Sequence, residues 1–331
     1  MKKALRFLYS SLFLVLTGIL PSVGQEAEPT RMFRFYEDND FLNVRGLGTD
    51  RSYTNGVRLD LFYNKKKPAR FSILPHAGAK SIDTYGWSVM QVMVTPEDIS
   101  IPGYQPDDYP YSGALFVTHS LSSYNKDKKY SFQTELIAGI RGPASFAEQT
   151  QKLIHRTIHD RKPMGWQNQT SSKILLNVNF TAEKQLAAFK GLTEVMGGAK
   201  ITAGTMMNSL TIYPLIRFGK MNPYFNGFLS QFSKANGSNH KTQLYLFLKP
   251  KLTWMASNAI LHGSIQHNSQ PERDTKQVYT PDVENFLGEV EFGTVINFGN
   301  FSITYTQKPS TAYSKGLYSH NVGNISVYFS W

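Results

Sequence analysis

The chain has 331 residues, 35 Lys and Arg against 24 Asp and Glu, a formal net charge of +11 and no cysteine. Without cysteine a disulfide-stapled scaffold is excluded, and an exported chain of this size has to be held by its own core or by a closed sheet. No stretch after the first residues approaches the roughly 18 consecutive apolar residues of a spanning helix, which excludes a helical membrane protein.

Lys2, Lys3 and Arg6 precede a mostly apolar run from Phe7 to Leu20, and Ser22-Val23-Gly24 supply small residues before Gln25. This is the layout of a secretory signal peptide over 1–24, with one mature domain over 25–331. Loss of those three cations lowers the net charge to about +8. A basic exported chain is expected to meet lipid phosphates or lipopolysaccharide, and not nucleic acid.

From Met32 to Trp331 runs of about ten residues alternate in apolar character between polar turn clusters, the pattern of a transmembrane antiparallel up-and-down β-barrel. The candidate strands are 32–41, 53–63, 85–94, 114–124, 130–140, 173–183, 192–203, 210–218, 243–254, 259–265, 286–296, 301–307 and 322–331. Thirteen candidates conflict with the even strand number of bacterial barrels. The expectation is therefore about twelve strands, with 192–203 as the surplus. Aromatic residues near strand ends, among them Tyr36, Tyr63, Tyr85, Tyr111, Tyr124, Tyr245, Phe247 and Tyr305, suit interfacial girdles. A soluble sandwich or barrel is the alternative, because alternation alone does not separate lipid from core.

The first two strands flank Glu37-Asp38-Asn39-Asp40 and Gly48-Thr49-Asp50-Arg51-Ser52-Tyr53-Thr54-Asn55-Gly56. Asn39, Asp40 and Thr54 should meet at one strand end, giving the carboxylate, amide and hydroxyl oxygens that a calcium ion takes. Ordinary turns use the same letters, so this stretch alone leaves both readings open. Lys65-Lys66-Lys67-Pro68-Ala69-Arg70 falls on the opposite rim by strand parity and reads as a periplasmic turn.

One segment breaks the β pattern. Gly142-Pro143 ends a strand, Ser145 and Glu148 have capping-box spacing, and Phe146, Thr150, Leu153, Ile154 and Thr157 recur at helical intervals, which predicts a helix over 145–159. Gln151 and His155 lie one turn apart on it, with Glu148 and His159 extending the row. A histidine there can take a proton from water near neutral pH; a solvated surface helix is the plainer alternative. No Glu follows His155, which rules out the zinc-protease motif, and Gly-x-Ser-x-Gly and nucleotide-binding glycine loops are lacking.

The ordered set Glu37-Asp38-Asn39-Asp40, Thr49-Asp50, Tyr53-Thr54-Asn55-Gly56, Thr95-Pro96-Glu97-Asp98-Ile99, Tyr109-Pro110-Tyr111-Ser112-Gly113, Gly142-Pro143-Ala144-Ser145 with Glu148, Gln151 and His155, and Gly165-Trp166 with Asn168-Gln169 resembles the outer-membrane lipid A 3′-O-deacylases. Ser112 stands where that family's pattern has alanine. From Lys200 onward the match is mainly one of strand pattern, with Thr304-Tyr305-Thr306-Gln307 as its clearest echo. The resemblance implies a twelve-stranded outer-membrane barrel, a monomer, that removes ester-linked acyl chains from the 3′ position of lipid A with calcium. His155 would be the base that activates water and Gln151 its neighbour. Asn39, Asp40 and Thr54 would be the site oxygens and calcium ligands. A phospholipase acting on glycerophospholipids and a passive porin are the competing functions.

Overall fold

The computed structural model describes residues 29–44, 52–65, 74–234, 242–263, 265 and 280–331. The expected leader and positions 48–51 and 66–70 lie outside the described residues. Among the described residues there are twelve strands: β1 Arg31–Asn39, β2 Ser52–Asn64, β3 Ile82–Thr95, β4 Ser112–Asn125, β5 Tyr130–Arg141, β6 Lys173–Phe189, β7 Thr193–Gly204, β8 Met207–Lys220, β9 Thr242–Asn258, β10 Phe286–Phe298, β11 Phe301–Ser310 and β12 His320–Ser330. Each pairs antiparallel with the next, and β12 closes onto β1 with Met32 opposite Ser330 and Asn39 opposite Gly323. Closure leaves no unpaired edge, one of the two solutions open to a chain in a bilayer. No helix among the described residues is long and apolar enough to cross a membrane.

Alternation sorts the side chains. Leu59 and Leu61 on β2, Trp87 and Val89 on β3, Ile174, Leu176 and Val178 on β6, and Leu244, Leu246 and Leu248 on β9 are exposed on the outside. Such a continuous apolar belt suits lipid and would be a liability in water. The lumen is polar and paired: Arg34 Nε and Arg58 Nε reach the two oxygens of Asp60 at 2.8 and 2.7 Å, Lys308 Nζ reaches Asp38 at 2.8 Å, and Lys251 Nζ reaches Glu291 at 2.5 Å.

Thr30 and Trp331 sit at one end, where the Thr30 amide donates to Trp331 O (2.9 Å) and the Asn64 amide to Thr30 O (2.9 Å). In barrels of this kind that end is periplasmic. The connection from β8 to β9 turns inward there, and its short helix Phe228–Phe232 packs Leu229 with Met32, Phe62 and Tyr328. At the other end Val94, Tyr109, Met255, Leu261, Val283 and Leu287 form a second apolar cluster. A cavity of about 320 Å³ in the lumen is lined by Arg34, Arg217, Lys249, Glu291 and Lys308, among others.

The surplus strand is not the expected one. Segment 192–203 is β7, paired along its length with β6 and β8. Residues 259–263 instead form a turn and bend, and Ile265 makes an isolated bridge to Thr170. The segment's apolar spacing reflects burial of Ala259 and Leu261 in inner clusters, while Asn258 caps the turn through Ile260, Leu261 and His262. The girdle is also smaller than expected. Tyr124 and Tyr245 line the lumen cavity, and Tyr111 is buried against Trp166.

Candidate active site

On β1 the inward positions are settled by Tyr36, whose hydroxyl donates to Asp38 Oδ2 (2.5 Å), and by Lys308 on Asp38. Strand alternation then turns Phe33, Phe35, Glu37 and Asn39 outward. The last two are polar on a wall whose outer face is largely apolar. Asn55 of β2 stands opposite Asn39. Its Nδ2 donates to Glu37 Oε1 (2.5 Å), and its Oδ1, fully buried, has no partner among the described residues.

Asn55 faces outward because of a local irregularity. Tyr53 pairs with Val94 and Asn55 with Met93, which leaves Thr54 as an extra residue in β2. A bulge of this kind re-aims side chains. Tyr53 turns in toward Asp38 (3.4 Å), Asn55 turns out, and Thr54 Oγ1 meets Thr95 Oγ1 at 2.6 Å.

Beyond β1 the chain makes a single 3₁₀ turn, Asp40–Leu42, capped by Asn39 Oδ1 accepting from the Phe41 amide (2.9 Å). Asp40 is buried within it. Outward-facing residues of β11 pin the turn to the wall: Tyr305 OH and Gln307 Nε2 donate to Leu42 O at 2.8 and 3.1 Å, and Gln307 Oε1 accepts from the Val44 amide at 2.9 Å. Gly323 on β12 permits this approach, since a Cβ there would strike the Leu42 carbonyl.

The connection from β5 to β6 carries helix α1, Ala147–Ile158. It lies on the outer wall over β3 and β4, where Gln91 Nε2 donates to Ser145 O (2.6 Å) and Ala147 packs with Met93, Ile99, Tyr111 and Trp166. Gly113 is needed beneath it, because a Cβ would collide with Ala147 and Ser145. The predicted capping box does not form. Phe146, left-handed at φ 59, occupies the cap position, and Glu148 pairs one turn along with Lys152. The predicted apolar stripe is also not the packed face: Phe146, Leu153 and Ile154 are exposed, while Ala147, Gln151 and His155 are buried.

Trp166 Nε1 donates to Gln151 Oε1 (2.7 Å), and Gln151 Nε2 is buried with no partner among the described residues. His155 Nδ1 lies 2.7 Å from Arg161 O. A carbonyl only accepts, so Nδ1 donates and the neutral ring carries its basic lone pair on Nε2. Arg161 in turn faces Asp98 at 4.0 Å; hydrogen bonds from Ser100 hold the Asp98 carboxyl below its ordinary range, so it stays anionic. His159 caps the helix C-terminus and is exposed, away from the His155 row.

The strand order β11-β12-β1-β2-β3-β4 sets the pinned turn and the helix on one outer rim. Between them lies a polar floor of Asn39, Asn55, Thr54 and Thr95. From β1 to β3 that floor spans two strand spacings, about 10 Å. Three residues at or beside this floor, Glu37, Asn55 and Thr95, lie within the motifs read from the sequence but receive no site role there. Their signal is polarity on the lipid side of a membrane strand, where it is costly and usually functional.

Among the described residues no three His, Asp or Glu side chains converge. Any cation here would be held by the Asp40 carboxylate with amide, hydroxyl and main-chain oxygens. That donor set fits calcium, not zinc. The partnerless Asn55 Oδ1 beside Asn39 is an oxygen that such an ion would satisfy.

The family model described as Outer membrane protein LpxR matches residues 8–331. Among solved structures, LpxR from Salmonella typhimurium is similar over 91% of this chain and 100% of its own, at 16% identity and a TM-score of 0.71. The β domain of the Bordetella autotransporter BrkA gives a TM-score of 0.46 at 8% identity, covering 92% of this chain and 100% of its own. The translocator domain of NalP from Neisseria meningitidis gives 0.44 at 8%, covering 100% and 97%. No curated protein matches the chain.

Proposed function

The chain belongs to the LpxR family of outer membrane proteins, and from that premise we propose that it is a lipid A 3′-O-deacylase, hydrolysing ester-linked acyl chains at the 3′ position. The observation that carries this reading is a buried imidazole on the inner face of a helix that lies on the outside of the barrel, beside a polar floor. Ester hydrolysis of a lipid needs a site that opens toward the bilayer and not toward the lumen.

The Arg161 carbonyl fixes the His155 ring with Nε2 as base. His155 Nε2 takes a proton from water as the water oxygen attacks the ester carbonyl, then returns it to the sugar oxygen as the C–O bond breaks. The products are a free sugar hydroxyl and a fatty acid. Gln151, held through Oε1 by Trp166, presents Nε2 as a donor within the same face. A calcium ion on Asp40, Asn39 and Thr54 would supply, when bound, positive charge where the oxyanion develops.

The deciding experiment is mass analysis of lipid A incubated with the purified protein, with calcium and with a chelator, alongside terbium luminescence as a separate report of ion binding. Calcium-dependent loss of 3′ acyl chains is the expected result. Fatty acid released equally from pure glycerophospholipid vesicles would favour a phospholipase. The apolar clusters at both ends of the lumen weigh against a porin, which would have to conduct ions in planar bilayers.

A further inference from the structure

The buried row of α1 faces the wall, and what the rest of the helix presents differs from one flank to the other. At 100° per residue, Phe146, Thr150, Leu153 and Thr157 fall about 120° to one side of Gln151, with Ile154 between. Lys152, paired with Glu148 one turn back, and Arg156 fall about 120° to the other side. Leu153 is 54% exposed and Phe146 58% exposed, opposite the buried Ala147, Gln151 and His155. Ile101 and Met164, from the loops beside the helix, are exposed as well, and so are Arg161 and Lys162 just past its end.

An exposed apolar flank paired with a basic one is the layout of a helix lying at the boundary between headgroups and acyl chains. Here it adjoins a membrane surface: the outer faces of β4, β5 and β6 beside it carry the exposed Val117, Leu136, Ile174 and Leu176. We propose that α1 is an interfacial docking helix, its Phe146-Leu153-Ile154 flank seated in the acyl chains of the outer leaflet and its Lys152-Arg156 flank at the level of the lipid phosphates. The docked helix sets the depth of the cleft beneath it. Substrate therefore reaches His155 laterally from the bilayer. This last step rests on the deacylase reading; the docking itself does not.

The chain has no cysteine, so single-cysteine variants accept one fluorophore each without further changes. Leu153→Cys and Arg156→Cys, labelled and reconstituted in vesicles carrying nitroxide on shallow acyl positions, separate the flanks. The label at 153 should be quenched about threefold more by the lipid nitroxide, and the label at 156 more by aqueous iodide. Heat-modifiable mobility on gels verifies that each variant is folded. Equal quenching at both positions by iodide would overturn the docking. The readout does not use turnover: lipid quenching at 153 in an inactive protein keeps the docking and sinks the deacylase, whereas iodide quenching in an active one does the reverse. In the active case, Leu153→Asp with Ile154→Asp should raise KM for bilayer substrate several-fold and leave kcat on detergent-dispersed substrate unchanged.

Discussion

The lumen and the outer rim both hold polar residues, but in different settings. Inside, several strong charges have counterparts: Asp60 between Arg34 and Arg58, Lys308 on Asp38, Arg217 on Glu194 at 2.8 Å. On the outer wall Glu37, Asn39, Asn55 and Thr95 interrupt an apolar belt, and Asn55 Oδ1 and Gln151 Nε2 are buried and unsatisfied among the described residues. Buried polar atoms without partners cost stability, roughly 1–3 kcal/mol each. Other parts of the barrel carry such atoms too, among them Asn222 Oδ1 and Asn297 Oδ1; on the lipid side, where polarity is costly, they mark candidate functional positions.

The largest effect should come from the rim. His155→Ala removes the base and should lower deacylation by about 10³-fold, with the barrel's urea midpoint unchanged. Asp40→Ala should match it. Unaltered acyl release in either variant, read by mass analysis of lipid A, removes that residue from the mechanism. The lumen should behave oppositely. Asp60→Asn leaves two guanidiniums facing a neutral amide, so stability should drop by about 3 kcal/mol while the specific activity of the folded fraction holds. A loss of activity without a loss of stability would mean that the lumen takes part in the chemistry.

A sharper division is available at Glu37. Glu37→Leu replaces a lipid-side carboxylate by the residue type its belt neighbours use. If the rim exists for function, removal of the lipid-side carboxylate should offset the lost Asn55 acceptor, leaving stability within about 1 kcal/mol of the parent, while activity falls about tenfold. A less stable Glu37→Leu with full activity would make Glu37 a structural residue and erase the contrast between the two regions.

Strand alternation made the barrel legible, since period two is a property of each run by itself. It failed at 259–265 because two residues buried in different inner clusters imitate it. The helix was legible for a similar reason, and with it the Gln151-His155 row. Its orientation was not: apolar residues are normally packed inward, and here the apolar flank faces the membrane. The rim residues of β2 were hidden by the bulge. From Tyr53 facing inward, unbroken alternation sends Asn55 inward too, and only the extra residue at Thr54 reverses it. Nothing in the letters Tyr-Thr-Asn-Gly announces that irregularity.

The same bulge yields the smallest expected effect. Thr54 offers the site a hydroxyl and the wall a methyl, and its Oγ1 lies 2.6 Å from Thr95 Oγ1. If its role is that of an oxygen at the rim, Thr54→Ser keeps the relevant atom and should change activity by less than about twofold, whereas the isosteric Thr54→Val should cost about tenfold by removing that oxygen and its hydrogen bond to Thr95. If its role is packing, the order inverts: Val fills the space and Ser leaves a gap of one methyl. Comparing kcat/KM and urea midpoints of the pair assigns Thr54 to one region or the other, because a rim oxygen moves the first quantity and a packing methyl moves the second.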